Sequence, residues 1–204
     1  MRVPFAQVFG TCSVCSRPVY GYEGEFVCDE CIRTKPHFDV AVQAVKFEGK
    51  ARELVIDFKF NDAIYLKNDF ADWMEGALRA RLDVSAVDAV VPVPLTRKGF
   101  FRRGYNQSEI LAREIALKID RKCVRALARK GSPRTQSSLD AASRAENVKG
   151  TFAVVKPSRV RGRIILLIDD IMTTGSTLSE CASVLKECGA AEVWCLTLAS
   201  AQRN

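Results

Sequence analysis

Ile164-Ile-Leu-Leu-Ile-Asp-Asp-Ile-Met-Thr-Thr-Gly-Ser-Thr177 is the stretch on which the fold turns. Its five leading apolar residues, 164–168, read as a strand covered on both faces, the condition of a central strand in a parallel sheet. Asp169 and Asp170 stand where that strand is expected to end, and a hydroxyl-rich turn follows with Gly175 at its centre. Beyond it Leu178, Cys181, Ala182 and Leu185 recur at helical spacing, and Gly189 supplies a C-terminal stop. In an open α/β sheet, ligands bind outside the carboxyl ends of the strands. A helix starting from Thr173, Thr174, Gly175, Ser176 and Thr177 offers unpaired N–H groups and a positive dipole end, which suits a phosphate. The stretch is therefore read as a binding site. The other common phosphate motifs, G-x-x-x-x-G-K-[ST] and G-x-G-x-x-G, are absent.

Around it, 204 residues with 48% hydrophobic and 27% charged residues describe an ordinary globular chain, long enough for one α/β core and a small appendage. No apolar run approaches the ~18 residues that span a bilayer. Residues 1–6 lack the apolar core of a secretory signal, so no membrane insertion and a cytoplasmic location are expected. The net charge of +7 favours anionic partners. With His37 as the sole histidine, neither a Ser-His-Asp triad nor a His-rich metal centre is expected.

The eight cysteines fall into two groups. Cys12-x-x-Cys15 and Cys28-x-x-Cys31 form two knuckles whose four thiolates can converge in a tetrahedron, the geometry of closed structural zinc sites. The segment is too poor in large apolar residues to fold well without a metal. Zn²⁺ is the expected occupant, with an iron–sulfur cluster as the other metal reading, and disulfides fit a cytoplasmic chain badly. His37 is read as a bystander. Cys123, Cys181, Cys188 and Cys195 are expected to pack as small buried hydrophobes.

In chain order, residues 1–36 are expected to form the four-cysteine module and residues 37–204 a second unit with its own core. Residues 38–47 are expected to be a strand leading into that unit, and 50–60 a helix with Leu54, Val55 and Phe58 on one face. A clearer helix spans 68–82, N-capped by Asn68 and placing Phe70, Trp73, Met74, Ala77 and Leu78 in the core. Residues 86–94 are expected to be the first strand of the main sheet, stopped by proline. The loop 95–105 carries four cations and two glycines, and Asn106-Gln-Ser-Glu109 opens a helix with a capping-box pattern that turns Ile110, Leu111 and Ile115 inward. A cationic, glycine-containing loop at a strand end is a candidate for a diphosphate, through Thr96, Arg97 and Lys98; a solvated basic loop is the plainer alternative. Cations also cluster at 121–134 and 156–163. They suggest single-stranded nucleic acid through Arg125, Arg129 and Arg134, or only service to the phosphate site. Residues 131–147 are polar, broken by Gly131-Ser-Pro133, and are expected to be mobile.

The opening stretch resembles the phosphoribosyl-diphosphate (PRPP) motif of type I phosphoribosyltransferases: apolar residues, two acids, two apolar residues, then Thr-Thr-Gly-x-Thr. The resemblance implies that Asp169 and Asp170 form the catalytic pair holding the ribose hydroxyls, and that Thr173, Thr174, Gly175, Ser176 and Thr177 cradle the 5′-phosphate. It also implies a closing loop like the mobile 131–147 segment. The resemblance then narrows. Pro92-Val-Pro-Leu-Thr-Arg-Lys98, Arg103-Gly-Tyr-Asn-Gln-Ser108, Ser143-Arg-Ala-Glu-Asn-Val-Lys-Gly-Thr-Phe-Ala153 and the four-cysteine module are similar to the ComF/GntX family. That likeness covers nearly the whole chain, apart from Leu139-Asp-Ala-Ala-Ser-Arg144, where relatives often carry Gly next to the Leu. It implies a parallel-sheet type I phosphoribosyltransferase-like domain behind a zinc-ribbon-like module, a PRPP ligand with Mg²⁺, and a role in DNA uptake with DNA-uptake proteins as partners, or in gluconate use. Whether phosphoribose is transferred to an acceptor stays open at this point.

Overall fold

Ile165, Leu166, Leu167 and Ile168 are all fully buried, and they alternate between two apolar clusters on opposite faces of one sheet. A strand covered on both sides by such residues gains about 1.5–3 kcal/mol for each large side chain taken from water, which makes it the axis of the molecule. The structure is a computed structural model and describes residues 10–17, 24–130 and 150–201.

Two short strands, β1 (Thr11–Cys12) and β2 (Glu25–Phe26), pair in parallel and are followed by helix α1 (Asp29–Thr34). Then come β3 (Val40–Lys46), α2 (Gly49–Phe60), α3 (Lys67–Arg81), β4 (Ala89–Pro92), α4 (Arg97–Arg103), α5 (Gln107–Lys118) and β5 (Lys122–Cys123). The ribbon β6 (Leu127–Arg129) and β7 (Phe152–Val154), the long strand β8 (Ile164–Met172), helix α6 (Ser176–Glu187) and β9 (Glu192–Ser200) complete the described chain. The main sheet has five strands, all parallel, in the order β3-β9-β8-β4-β5. Helices α2, α3 and α5 cover one face through Phe58, Phe70, Met74, Leu78, Leu111 and Ile115. Helix α6 covers the other through Leu178, Cys181 and Leu185, beside Leu127 and Phe152 of the antiparallel ribbon β6–β7. This is the expected α/β class.

Several local expectations change. Residues 40–46 are not a lead-in but an edge strand of the main sheet, held by β9 from Val40 opposite Trp194 to Lys46 opposite Ser200. The strand at 89–92 is therefore the second of that sheet. Strand β8 does not stop at Ile168: β9 pairs it as far as Met172, so Asp169 and Asp170 lie within it. The basic loop after β4 contains helix α4, because Thr96 accepts from the Gly99 N–H at its start and Gly104, at φ +76°, closes its end. Asn68 is not an N-cap, since a 3₁₀ turn over Ile64–Leu66 runs straight into α3 and leaves Leu66 at the cap. Asn106 does cap α5 through Ser108 N, but Glu109 turns away to Arg113 and Arg125 instead of completing a box.

Among the described residues, the four cysteines do not form a cluster separate from that of the sheet. Cys12, Cys15, Cys28 and Cys31 belong to the same apolar cluster as Phe38, Ala41 and Met172. Gln43 Nε2 of β3 donates to Cys15 O at 2.8 Å, and Ala41 N to Val14 O at 2.7 Å. A module this small buries too little apolar surface alone, and the sheet supplies the rest. Cys181 and Cys195 are buried in the main core as expected, while Cys123 and Cys188 are half-buried at its margin.

Candidate functional site

From β4 the chain runs through α5 to β5 on one side; from β8 it runs through α6 to β9 on the other. The two helices lie on opposite faces, so the loops leaving β4 and β8 diverge and open a crevice at their carboxyl ends, the switch point of the sheet. The sequence-predicted groups meet there. Asp169 and Asp170 sit near the end of β8, Thr173 and Thr174 follow as exposed residues, and Ser176 and Thr177 form the first turn of α6.

The two acids differ in environment. Asp170 is 7% exposed, accepts from Ile171 N at 2.7 Å, and pairs with Lys59 Nζ at 2.9 Å. Asp169 Oδ1 accepts from Ser108 Oγ at 2.8 Å and from Asp170 N at 2.9 Å. Burial, and then the charge of Asp170 beside it, push the Asp169 carboxyl up to about 7. One site thus holds a carboxyl group paired with a lysine and a second one pushed up toward neutrality. Lys59 is itself held in place: Tyr105 Oη donates to Phe58 O at 2.6 Å and Gln107 Nε2 to Lys59 O at 3.1 Å, so the β4–α5 segment pins the end of α2. Sequence reasoning missed Lys59 and Ser108. A lysine on an amphipathic helix looks solvated, and a serine after an N-cap looks like part of the cap.

In the loop after β8, Gly175 has φ +78°, and a Cβ there would lie 2.8 Å from Met172 Cε. Glycine is the residue for both reasons. Thr174 Oγ1 and Ser176 Oγ are 2.8 Å apart, and the first N–H groups of α6 face the loop side of the helix. Of the diphosphate candidates, Thr96 spends its hydroxyl on the α4 cap, and Arg97 and Lys98 form the first turn of that helix.

The four cysteines come together. Their Sγ atoms all lie within 4.8 Å of one another, and all four residues are buried. Cys12 Sγ accepts from Cys28 N at 3.3 Å and Cys15 N at 3.5 Å. Burial raises the Cys12 thiol, but the N–H groups of Cys28, Cys15 and Val14 outweigh it and bring it down to about 7. Burial and the neighbouring thiols push Cys15 up to about 12 and Cys31 higher still. Four thiolates cannot share this space uncompensated, so the donor set fits a divalent cation in tetrahedral coordination. His37 is not part of the cluster; its backbone N–H donates to Ser179 Oγ.

Two of the three basic candidates, Arg125 and Arg129, fall among the described residues. Arg125 is exposed and shares Glu109 with Arg113. Arg129 is half-buried, with its guanidinium 5.2 Å from the Phe152 ring centroid and within electrostatic reach of Asp169. Arg134 and the expected mobile segment 131–147 lie outside the described residues. No helix among the described residues is long and apolar enough to cross a membrane.

Against known proteins, residues 99–204 match the family model described as "Phosphoribosyl transferase domain". The chain is 30% identical to "DNA utilization protein YhgH" of Escherichia coli (strain K12) over 96% of this chain and 93% of that protein. It is 28% identical to "Competence protein F" of Haemophilus influenzae, over 94% of this chain and 91% of that one. Among solved structures, the adenine phosphoribosyltransferase of Leishmania tarentolae is 15% identical and covers 71% of this chain and 74% of its own, at a TM-score of 0.42.

Proposed function

The chain belongs to the ComF family of proteins with a phosphoribosyl transferase domain, and from that premise we propose that its switch-point crevice binds PRPP or another ribose 5-phosphate ligand, in a protein that serves DNA uptake. The observation that carries the ligand is the meeting of Asp169 and Asp170 with the loop Thr173, Thr174, Gly175, Ser176 and Thr177 at one strand end. Carboxylates accept from the two ribose hydroxyls, and the hydroxyls and N–H groups of the loop take the 5′-phosphate. Thr96, Arg97 and Lys98, at the start of α4 after β4, are assigned to the diphosphate. Mg²⁺, when bound with the ligand, neutralises that diphosphate and eases its departure from the ribose. The acidic pair would steady the ribose as its C1 becomes cation-like, and transfer of phosphoribose to an acceptor is the second reading that this arrangement supports. Cys12, Cys15, Cys28 and Cys31 hold a structural Zn²⁺ with no open position.

The place in DNA uptake rests on the names of the relatives, "DNA utilization protein" and "Competence protein F". Exposed cations on the β5 side of the sheet, Arg125 among them, support direct contact with single-stranded nucleic acid in the cytoplasm. Gluconate use has no comparable support.

A thermal shift tests the ligand. A hundredfold excess of PRPP over its dissociation constant stabilises by about 2.7 kcal/mol. The shift is expected with Mg²⁺ in the wild type and is expected to shrink in Thr174→Ala and in Asp169→Asn/Asp170→Asn. No shift at millimolar PRPP removes the ligand reading.

A further inference from the structure

The ribose and phosphate reading leaves one cavity unused. A cleft of about 520 Å³ lies on the β5 side of β4, bounded by Pro92, Pro94, Phe100, Phe101, Glu109 and Leu127. It opens beside the crevice: Pro92 ends β4 next to Ile168 of β8. Its walls are mainly apolar, and its size falls in the range of pockets that enclose a planar ligand.

Three features say what kind of group it takes. Phe101 is 85% exposed and Phe100 49% exposed, two large rings on one short helix left in water at the edge of a cavity. The cation on the cleft wall itself is Arg125, which lines it together with the two rings. Rings interleaved with cations suit stacked bases tracked by their phosphates. The third feature is Glu109. Its Oε1 accepts from both Arg113 and Arg125, and its Oε2 is in neither bond. Burial disfavours this carboxylate, but the two guanidinium groups outweigh it and hold it ionised. An ionised oxygen on an apolar cleft wall is a pure acceptor, so it selects a ring edge that donates. Arg113 and Arg125 remain 61% and 64% exposed as side chains, and Arg125 is itself part of the cleft wall, where it can meet a polyanion.

We propose that this cleft receives one base of a single-stranded nucleic acid, stacked on Phe100 and Phe101, with Glu109 accepting from its exocyclic amine and Arg125 meeting a flanking phosphate. The inference rests on the nucleic-acid reading above and adds where a base is held and which bases are preferred. Cytosine and thymine are of similar size, but thymine offers only an N3–H flanked by two carbonyls, which a carboxylate repels.

Fluorescence anisotropy on the full chain at low salt, with labelled oligo-dC and oligo-dT of equal length, tests this. Oligo-dC is expected to bind about tenfold tighter than oligo-dT. Phe101→Ala is expected to weaken oligo-dC about tenfold with an unchanged thermal midpoint, because the ring is exposed. Glu109→Gln, whose amide both donates and accepts, is expected to bring the two oligomers together. The slope of affinity against salt is expected to persist in both variants. Equal binding of the two oligomers by wild type, or wild-type affinity in Phe101→Ala, overturns the cleft while leaving salt-dependent nucleic-acid binding intact. Free deoxycytidine bound through Phe101 with no oligomer binding overturns the strand assignment. Absence of all oligomer binding overturns both readings.

Discussion

Lys59 Nζ lies 2.9 Å from Asp170 Oδ2, with the two side chains only 17% and 10% exposed. The pair joins the last turn of α2 to the carboxyl end of β8, and it splits the roles of two adjacent acids. Asp170 pairs with a lysine, while Asp169, raised by burial and then by the charge of its neighbour, receives the Ser108 hydroxyl.

Lys59→Met is expected to cost about 2–3 kcal/mol, because removing one partner of a largely buried pair leaves the other charge uncompensated. The urea midpoint measures it. Asp170→Asn in the same chain is expected to recover much of the loss, since the two changes are coupled. Simple additivity of the two effects counts against the pair as a unit.

Stability is expected to fall as pH rises toward neutrality through Asp169. Its folded value is about 7, against about 4 for an unfolded Asp. Between those values the native state binds a proton that the unfolded chain has released, so raising the pH favours the unfolded chain across that window. Below it the group contributes nothing further. Thermal midpoints at several pH values between 4 and 8, compared with Asp169→Asn, check this: the variant is expected to show the shallower decline.

Gly175→Ala is expected to cost about 1–2 kcal/mol from the left-handed backbone alone. The added methyl must also displace Met172 Cε, which stands 2.8 Å from where it would sit. Because this residue begins α6 beneath the phosphate loop, the PRPP thermal shift is expected to fall with it. Full retention of that shift argues that the loop does not carry the phosphate.

Metal analysis is expected to find one zinc per chain. Cys28→Ser is expected to lower the main unfolding transition as well as loosen residues 10–36, because the cysteines share a cluster with Phe38, Ala41 and Met172. Zinc binding to such modules is worth about 10–16 kcal/mol, and each kcal/mol transmitted to the sheet moves the midpoint by about 2–4 °C. An unchanged main transition in this variant means the cores are independent after all.

Much of the site was legible because its parts are contiguous. The run at 164–168 has an unbroken apolar pattern that only a doubly covered strand needs, and two acids and a glycine-centred hydroxyl loop follow it directly. Helix α4 was less legible, as its cations and Gly99 suggest a loop; Thr96 and Gly104 decide otherwise by capping both ends. Asn68 misled in the opposite way, since a good capping residue does not cap when a preceding turn has already started the helix.

The sequence by itself determined the central strand, the acid pair with the hydroxyl-rich loop after it, and the four converging thiols, since each depends on local spacing and local chemistry. Only the tertiary structure decided that Lys59 belongs to Asp170, that Ser108 reaches Asp169 across 61 residues of chain, and that the cysteine module shares the core of the sheet. Periodicity reports which face a side chain takes on its own element. Which charge or hydroxyl meets it there is set by how strands are ordered in the sheet, and that order places β8 beside β4 and opens the crevice between their diverging helices.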